Sequence, residues 1–155
     1  MEVSDPGRGR LSEERTKERI INMLKVLPIQ SKTEQEAICA RCGVRYNIDL
    51  LAYSATLDDK LSGICQFTMN ADGGSIRDLA LTEDCDNTEV LFVLGRATLN
   101  FIDLAGVHKA YYDAPIENEE TEKLVRRIGF CKNSEGRFFV DLTNFFVSPC
   151  QHDKS

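Results

Sequence analysis

The chain has 155 residues, of which 42% are hydrophobic and 28% are charged, and its formal net charge is −6. These values are typical of one globular domain, and the acidic balance excludes the basic footprint of a nucleic-acid-binding protein. No apolar run approaches the length of a membrane span, and the start of the chain has no apolar signal core. We therefore expect a cytoplasmic protein whose six cysteines are reduced.

Three parts are expected along the chain. Residues 1–22 are polar and charged and predict an N-terminal extension that is partly disordered or helical. Residues 23–147 carry the regular apolar patterns of a folded domain. Residues 148–155 read as a C-terminal tail.

The domain is predicted to begin with a strand and a short helix. Residues 23–29 are rich in branched side chains, and the proline near their end suits an edge strand. Ser31 or Thr33 can begin the helix, and Gly43 can end it. Residues 49–56 and 61–69 then alternate as strands around a turn of two aspartates.

The centre of the chain reads as a strand, an acidic turn, a long helix and a second strand. Residues 75–81 form the first strand, residues 88–105 the helix and residues 107–112 the second strand, which together make a βαβ unit. Apolar residues at helical spacing predict the buried stripe, namely Val90, Leu94, Ala97, Phe101 and Leu104. A second helix over residues 117–127 and a hairpin complete the domain.

Three short motifs in this order resemble the GNAT N-acetyltransferase superfamily. Residues 76–81 read I-R-D-L-A-L, the long helix ends D-L-A-G at residues 103–106, and residues 128–130 read I-G-F after an asparagine at 118. The resemblance extends over roughly residues 23–146. It implies an α/β (α+β) fold with a mixed, mostly antiparallel sheet, one parallel splayed pair and flanking helices.

The resemblance also implies a cofactor, acetyl-CoA or another acyl-CoA, in the gap between the splayed strands. Backbone groups of the central strand would pair with the pantetheine arm, and here they belong to Leu79, Ala80 and Leu81. The start of the long helix would face the pyrophosphate, and the residues that would bind it there are Asn87, Thr88 and Glu89.

Several positions depart from the family pattern. The family loop reads R/Q-x-x-G-x-G/A, but Asp86 stands at the Arg or Gln position, and Glu89 and Leu91 stand at the glycines. A carboxylate about 4 Å from a phosphate oxygen costs roughly 1 to 4 kcal/mol, depending on the effective dielectric. Val125 replaces the helical tyrosine that often acts as general acid, and Ser75 stands where some members have a base.

Other residues are candidates for the missing chemistry. Tyr111 or Tyr112, at the end of the strand after the long helix, could act as the acid, although one could pack in the core while the other lies at the surface. Asp78 on the central strand could act as a base or be an ordinary strand carboxylate.

The cysteines offer a separate possibility. Cys39 and Cys42 have the spacing of a zinc knuckle, and Cys150 and His152 could complete four ligands. The alternative is that the cysteines are unrelated reduced thiols, and we predict no metal.

Two functions remain open. The first is an N-acyltransferase that acylates a small-molecule or protein amine from acyl-CoA. The second is a non-catalytic module with the same fold that binds a partner or small ligand. Neither involves nucleic acid or a membrane, and the sequence does not predict the oligomeric state.

Overall fold

A computed structural model describes residues 23–146, so the predicted extension and tail lie outside the described residues. In chain order the elements are β1 (Leu24–Pro28), α1 (Lys32–Cys42), β2 (Leu51–Leu57), β3 (Lys60–Asn70), β4 (Gly73–Leu81), α2 (Glu89–Leu104), β5 (Lys109–Tyr112), α3 (Glu119–Ile128), β6 (Cys131–Lys132) and β7 (Phe138–Asp141). The expected order of strands and helices is confirmed within this range, with differences only at their ends. None of the described helices is long and apolar enough to cross a membrane.

All of these strands belong to one sheet, in the order β1-β2-β3-β4-β5-β7-β6. Strands β4 and β5 are parallel, and the other neighbouring pairs are antiparallel, as the sequence predicts. The parallel pairing covers only Gly74 to Ile76 of β4, whereas β3 pairs with β4 as far as Leu81. In the described range, residues 77–81 of β4 therefore have no second strand beside them, and a cleft opens there.

The two faces of the sheet are covered differently. Helices α2 and α3 pack on one face and form the larger core with side chains such as Phe67, Ile76 and Phe138. Helix α1 covers part of the other face through Ile38 and its two cysteines, which contact side chains of β2 and β3. The rest of this second face stays open and carries polar side chains.

The buried side of α2 differs from the predicted stripe. Its buried residues are Val90, Leu94, Gly95, Thr98, Leu99 and Ile102. Phe101 is 36% exposed and Leu104 is 77% exposed, so the prediction was wrong for the second half of the helix. The helix packs against both the sheet and α3, and Gly95 allows this because a Cβ there would lie 2.7 Å from Ile128. A glycine and a threonine thus occupy core positions that hydrophobicity alone does not reveal.

Candidate active site

The free edge of β4 is the first feature of the site. The backbone N–H of Thr82 donates to the carbonyl of Ser62, which makes residues 82, 80 and 78 the ones that bond to β3. Because alternate residues of a strand direct their backbone groups to opposite sides, the N–H and C=O groups of Leu79 and Leu81 face the cleft. Ala80, which was expected to join them, instead directs its backbone groups to β3.

A β-bulge precedes this edge. The register of the two central strands passes from Gln66↔Asp78 to Phe67↔Ile76, so Arg77 is an extra residue on β4. The strand bends away from β5 at this point, and the bulge turns Asp78 toward the face that carries α1. Burial raises the pKa of the Asp78 carboxyl, and a hydrogen bond from Gln66 opposes this rise.

Asp78 is the end of a chain of side-chain hydrogen bonds. The Gln66 amide donates to Asp78 Oδ2 over 2.7 Å and to the carbonyl of Arg45 over 2.9 Å. The Gln35 amide donates to Gln66 Oε1 over 2.8 Å. Both glutamines are almost completely buried, with exposures of 0% and 1%. Two buried amides that are fully hydrogen-bonded hold their partners in a single arrangement.

The two tyrosines lie on opposite faces of the sheet. Tyr112 is 5% exposed, belongs to the larger core and contacts the Phe130 ring with centroids 5.6 Å apart. Burial raises the pKa of this phenol further above neutral pH. Tyr111 lies on the open face under the guanidinium of Arg137, which is 3.7 Å from the ring centroid. The two phenols therefore cannot serve the same side of the cleft.

A polar groove of about 470 Å³ runs along the open face beside the bulge. Its floor includes Ser75 and Tyr111, and Arg77 contributes to its wall. Asp113 accepts two hydrogen bonds from Arg137, over 2.9 and 2.7 Å, and one from the hydroxyl of Ser75. These contacts hold the pKa of the Asp113 carboxyl below its usual range. The groove is large enough for a small amine.

The first backbone amides of α2 are hydrogen-bonded to the residues that precede the helix. The N–H of Glu89 donates to Asn87 Oδ1 over 3.0 Å, and the N–H of Leu91 donates to the carbonyl of Thr88 over 3.0 Å. The Glu89 carboxylate accepts two hydrogen bonds from Arg127 of α3, over 3.0 and 2.7 Å. This pairing lowers the pKa of Glu89. The residues predicted to face a pyrophosphate are brought together here, but several of their amides are already bonded.

Solved structures of N-acetyltransferases have the same architecture. The ribosomal-protein-S18-alanine N-acetyltransferase of Escherichia coli is similar with a TM-score of 0.62 and 12% identity, over 78% of this chain and 95% of that one. Spermidine N-acetyltransferase of Vibrio cholerae gives 0.63 and 11%, over 80% and 96% of the two chains. A Bacillus subtilis acetyltransferase in complex with CoA gives 0.64 and 12%, over 77% and 99%. No family model and no curated protein matches the sequence.

The chain has a GNAT-like fold. The parallel strands β4 and β5 separate after Ile76, whereas the resemblance placed the opening near Leu81. Val125, which the resemblance aligns with the helical tyrosine of the GNAT family, is fully buried in the core. Asn118 caps α3 by accepting the N–H of Thr121 over 2.9 Å. The splayed strands of this fold are thus present, and Val125 packs in the core.

The cysteine pair of the hypothetical zinc site lies in the smaller core. Cys39 and Cys42 are buried, and burial raises their pKa values to about 11 and about 12, so both are neutral thiols at pH 7. The other two proposed ligands, Cys150 and His152, lie outside the described residues. Among residues 23–146 no group of three or more potential ligands could hold a metal ion.

Sequence reasoning did not find three of these residues. Gln35 and Gln66 are 31 positions apart, and the amides meet only because α1 packs over β3. Arg127 is 38 positions from Glu89 and meets it only because α3 packs beside α2. A glutamine at an inward-facing position of the alternating strand β3 was the one available signal.

Proposed function

We propose that this protein is an N-acyltransferase that transfers an acyl group from a CoA thioester to an amine. The observation that supports this most is the free edge of β4, where Leu79 and Leu81 present two N–H and two C=O groups to the cleft. Pantetheine carries two amide groups, and an extended chain of this kind pairs with such an edge as a strand would. Edge pairing uses only backbone groups and tolerates the local side chains.

The site fits the pantetheine end of the cofactor better than its phosphate end. The pantetheine arm fits the edge of β4. The start of α2 lacks the glycines whose open backbone amides bind the phosphates in the GNAT family. Here Asn87 and Thr88 already accept the N–H groups of Glu89 and Leu91. Cations are nevertheless close, since Lys123 and Arg127 line a hollow of about 260 Å³ between α2 and α3. We propose that these side chains hold the phosphates.

Asp78 is the proposed base. When bound, an acyl-CoA supplies an activated carbonyl carbon for an attacking amine. The carboxylate of Asp78 lies at the bulge beside the cleft and can accept the proton that the amine loses. Burial raises its pKa and makes it a stronger proton acceptor than an exposed aspartate.

A tyrosine is the proposed acid. The phenol of Tyr112 is protonated at neutral pH, as tyrosines ordinarily are, so a proton is available for a departing thiolate. Burial raises the pKa of this phenol, which makes it a weaker acid than an exposed tyrosine. Tyr111, on the open face beside the groove, is the alternative. The two lie on opposite faces, so the substitution of each by phenylalanine distinguishes them.

The proposed acceptor is a primary amine. Two proteins of similar structure acetylate amines, spermidine in one case and the alanine of a ribosomal protein in the other. The net charge of −6 favours the approach of a cation, and the groove lined by Arg77, next to Asp78 in the chain, has room for a small amine or the end of a peptide.

The test is an assay of thiol release from acetyl-CoA, with spermidine and with a peptide that begins with alanine. We expect amine-dependent release that falls about 10²- to 10⁴-fold in Asp78→Asn. We also expect one of Tyr111→Phe and Tyr112→Phe to be clearly impaired and the other to change little. Amine-dependent release that is unchanged in Asp78→Asn would show that another group is the base.

A non-catalytic binding module is the second candidate. It is favoured by the core position of Val125 and by the Glu89 carboxylate at the place where phosphates would bind. This alternative predicts no increase in melting temperature with millimolar acetyl-CoA. A ligand present at 100 times its Kd should add about 2.7 kcal/mol, which is several degrees for this size of domain.

A further inference from the structure

Two buried glutamines connect Lys32 of α1 to Asp78 of β4 through side-chain hydrogen bonds. Lys32 Nζ donates to Gln35 Oε1 over 3.2 Å and to the carbonyl of Leu50 over 2.6 Å. The Gln35 amide donates to the same carbonyl over 3.2 Å and to Gln66 Oε1. The Gln66 amide donates to Asp78. The chain thus runs from an ammonium to a carboxylate.

The direction of this chain is fixed by its ends. Lys32 can only donate, so the oxygen of Gln35 faces it and the nitrogen of Gln35 faces Gln66. The oxygen of Gln66 therefore accepts, and its nitrogen is directed to Asp78 and to the carbonyl of Arg45. A reversed Gln66 would place its oxygen against two acceptors and its nitrogen against a donor. Only one orientation satisfies every group.

We propose that Gln66 is a positioning residue for Asp78: it binds Oδ2, so that Oδ1 is the oxygen that takes the proton of the acceptor amine. Gln35 and Lys32 keep Gln66 in its donating orientation. The proposal rests on the proposed N-acyltransferase function, but the hydrogen-bond chain can be measured without any substrate. Within the described residues, Gln66 is the hydrogen-bond donor to Asp78.

The other charged or titratable groups near Asp78 do not compete for this role. Arg77, on the same strand, favours the ionised carboxylate. Cys39 from α1, Cys65 from β3 and Tyr112 from β5 also feel the charge of Asp78. The pKa values of the two thiols are raised to about 11 and about 12, and burial likewise raises that of the phenol. All three are neutral near pH 7, so none of them changes its charge in the range where a carboxyl group titrates.

The direct experiment is a carboxyl ¹³C NMR titration of Asp78 in the full-length protein and in Gln66→Met. Loss of the donor removes a hydrogen bond to the ionised form, so the pKa of Asp78 should rise. Gln35→Met should raise it less, because Gln66 remains but can rotate. Two controls should leave it unchanged: Gln30→Met, which changes an exposed glutamine, and Ile64→Val, which loosens the core on the same strand.

The pH dependence of kcat/KM with the best amine is the second readout. In Gln66→Met the acidic limb should move to higher pH by the amount seen in the NMR titration, so kcat/KM should fall most on the acidic side of the profile. An Asp78 pKa in Gln66→Met equal to that of the controls would overturn the proposal. If Gln66→Met raises the pKa but the wild-type protein acylates no amine, the hydrogen-bond chain is supported and the proposed function fails.

Discussion

The two ends of the cleft hold their carboxylates in opposite ways. At the bulge end, Asp78 is half-buried and is held by Gln66, a neutral amide that is itself enclosed. At the start of α2, Glu89 is exposed and is held by the guanidinium of Arg127. The position of Asp78 therefore depends on buried packing, whereas the position of Glu89 depends on one solvent-exposed ion pair.

The pKa values follow this difference. Burial raises that of Asp78, whereas the hydrogen bonds from Arg127 lower that of Glu89. The pKa of Asp84, in the turn between β4 and α2, is likewise lowered, first by the hydroxyl of Thr82 and then by Lys60. The turn and the start of α2 therefore repel an anion less than the sequence indicates, because Lys60 pairs with Asp84 and Arg127 pairs with Glu89. The charge that a loop presents to a ligand thus depends on the cations of neighbouring elements as well as on its own residues.

The largest expected effect contrasts neighbouring positions of β4. Ala80→Pro removes an N–H that bonds to β3 and leaves its acceptor unpaired, so we expect a loss of roughly 1 to 3 kcal/mol or failure to fold. Leu81→Pro removes an N–H that faces the cleft and should be little less stable than Leu81→Ala, which lacks the same side chain. Urea unfolding of the three variants measures this. Equal losses in the two proline variants would mean that the edge at Leu81 is not free.

An intermediate effect is expected from Asp78→Asn. The folded-state pKa of Asp78 is raised, so its ionised form costs stability, and this cost appears as the pH rises through that pKa. The asparagine should therefore increase the melting temperature by about one to three degrees at pH 7. The gain should shrink as the pH falls and vanish near the ordinary carboxyl pKa of about 4. A lower melting temperature at pH 7 would show that the carboxylate stabilises the fold.

The smallest effect on stability is expected from Glu89→Gln. The pKa of Glu89 is lowered in the fold, so its ion pair stabilises above the ordinary pKa and is lost as the pH falls through the lowered value. The pair is exposed, so the melting temperature at pH 7 should fall by less than about one degree.

The same substitution should strengthen cofactor binding. It removes a negative charge and frees Arg127, so the Kd for acetyl-CoA should improve by about three- to tenfold in calorimetry. Glu122→Gln is the matched control, since it breaks the ion pair with Arg126 within α3 alone. An improvement in both variants would reflect overall charge, and no improvement in either would place the phosphates elsewhere.

The elements were predictable because local chemistry determines them. Ser31 caps α1 by accepting the N–H of Glu34, and Gly43 ends the helix at a φ of 71°. Asp58 and Asp59 form the predicted turn with positive φ angles. Each of these features depends on residues only a few positions apart, which a sequence displays directly.

The site was predictable only where it depends on the order of strands and helices along the chain. The parallel pairing of β4 with β5 follows from the succession of strands and helices. The contacts that decide the chemistry join residues far apart in the chain, as Gln66 with Asp78 across two strands and Glu89 with Arg127 across two helices. A strand alternation marks which side of β3 Gln66 occupies, but not which helix covers it. The orientation of α2 was missed for the same reason.

The most direct test of the proposed cofactor site is a ¹⁵N–¹H NMR titration of the protein with acetyl-CoA up to millimolar concentration. If the thioester's arm lies along β4, the amides of Leu79 and Leu81 will shift saturably and more than that of Ala80, whose N–H is bonded to β3. No saturable change along β4, or changes confined to other surfaces, would contradict acyl-CoA binding in the cleft and favour the non-catalytic module.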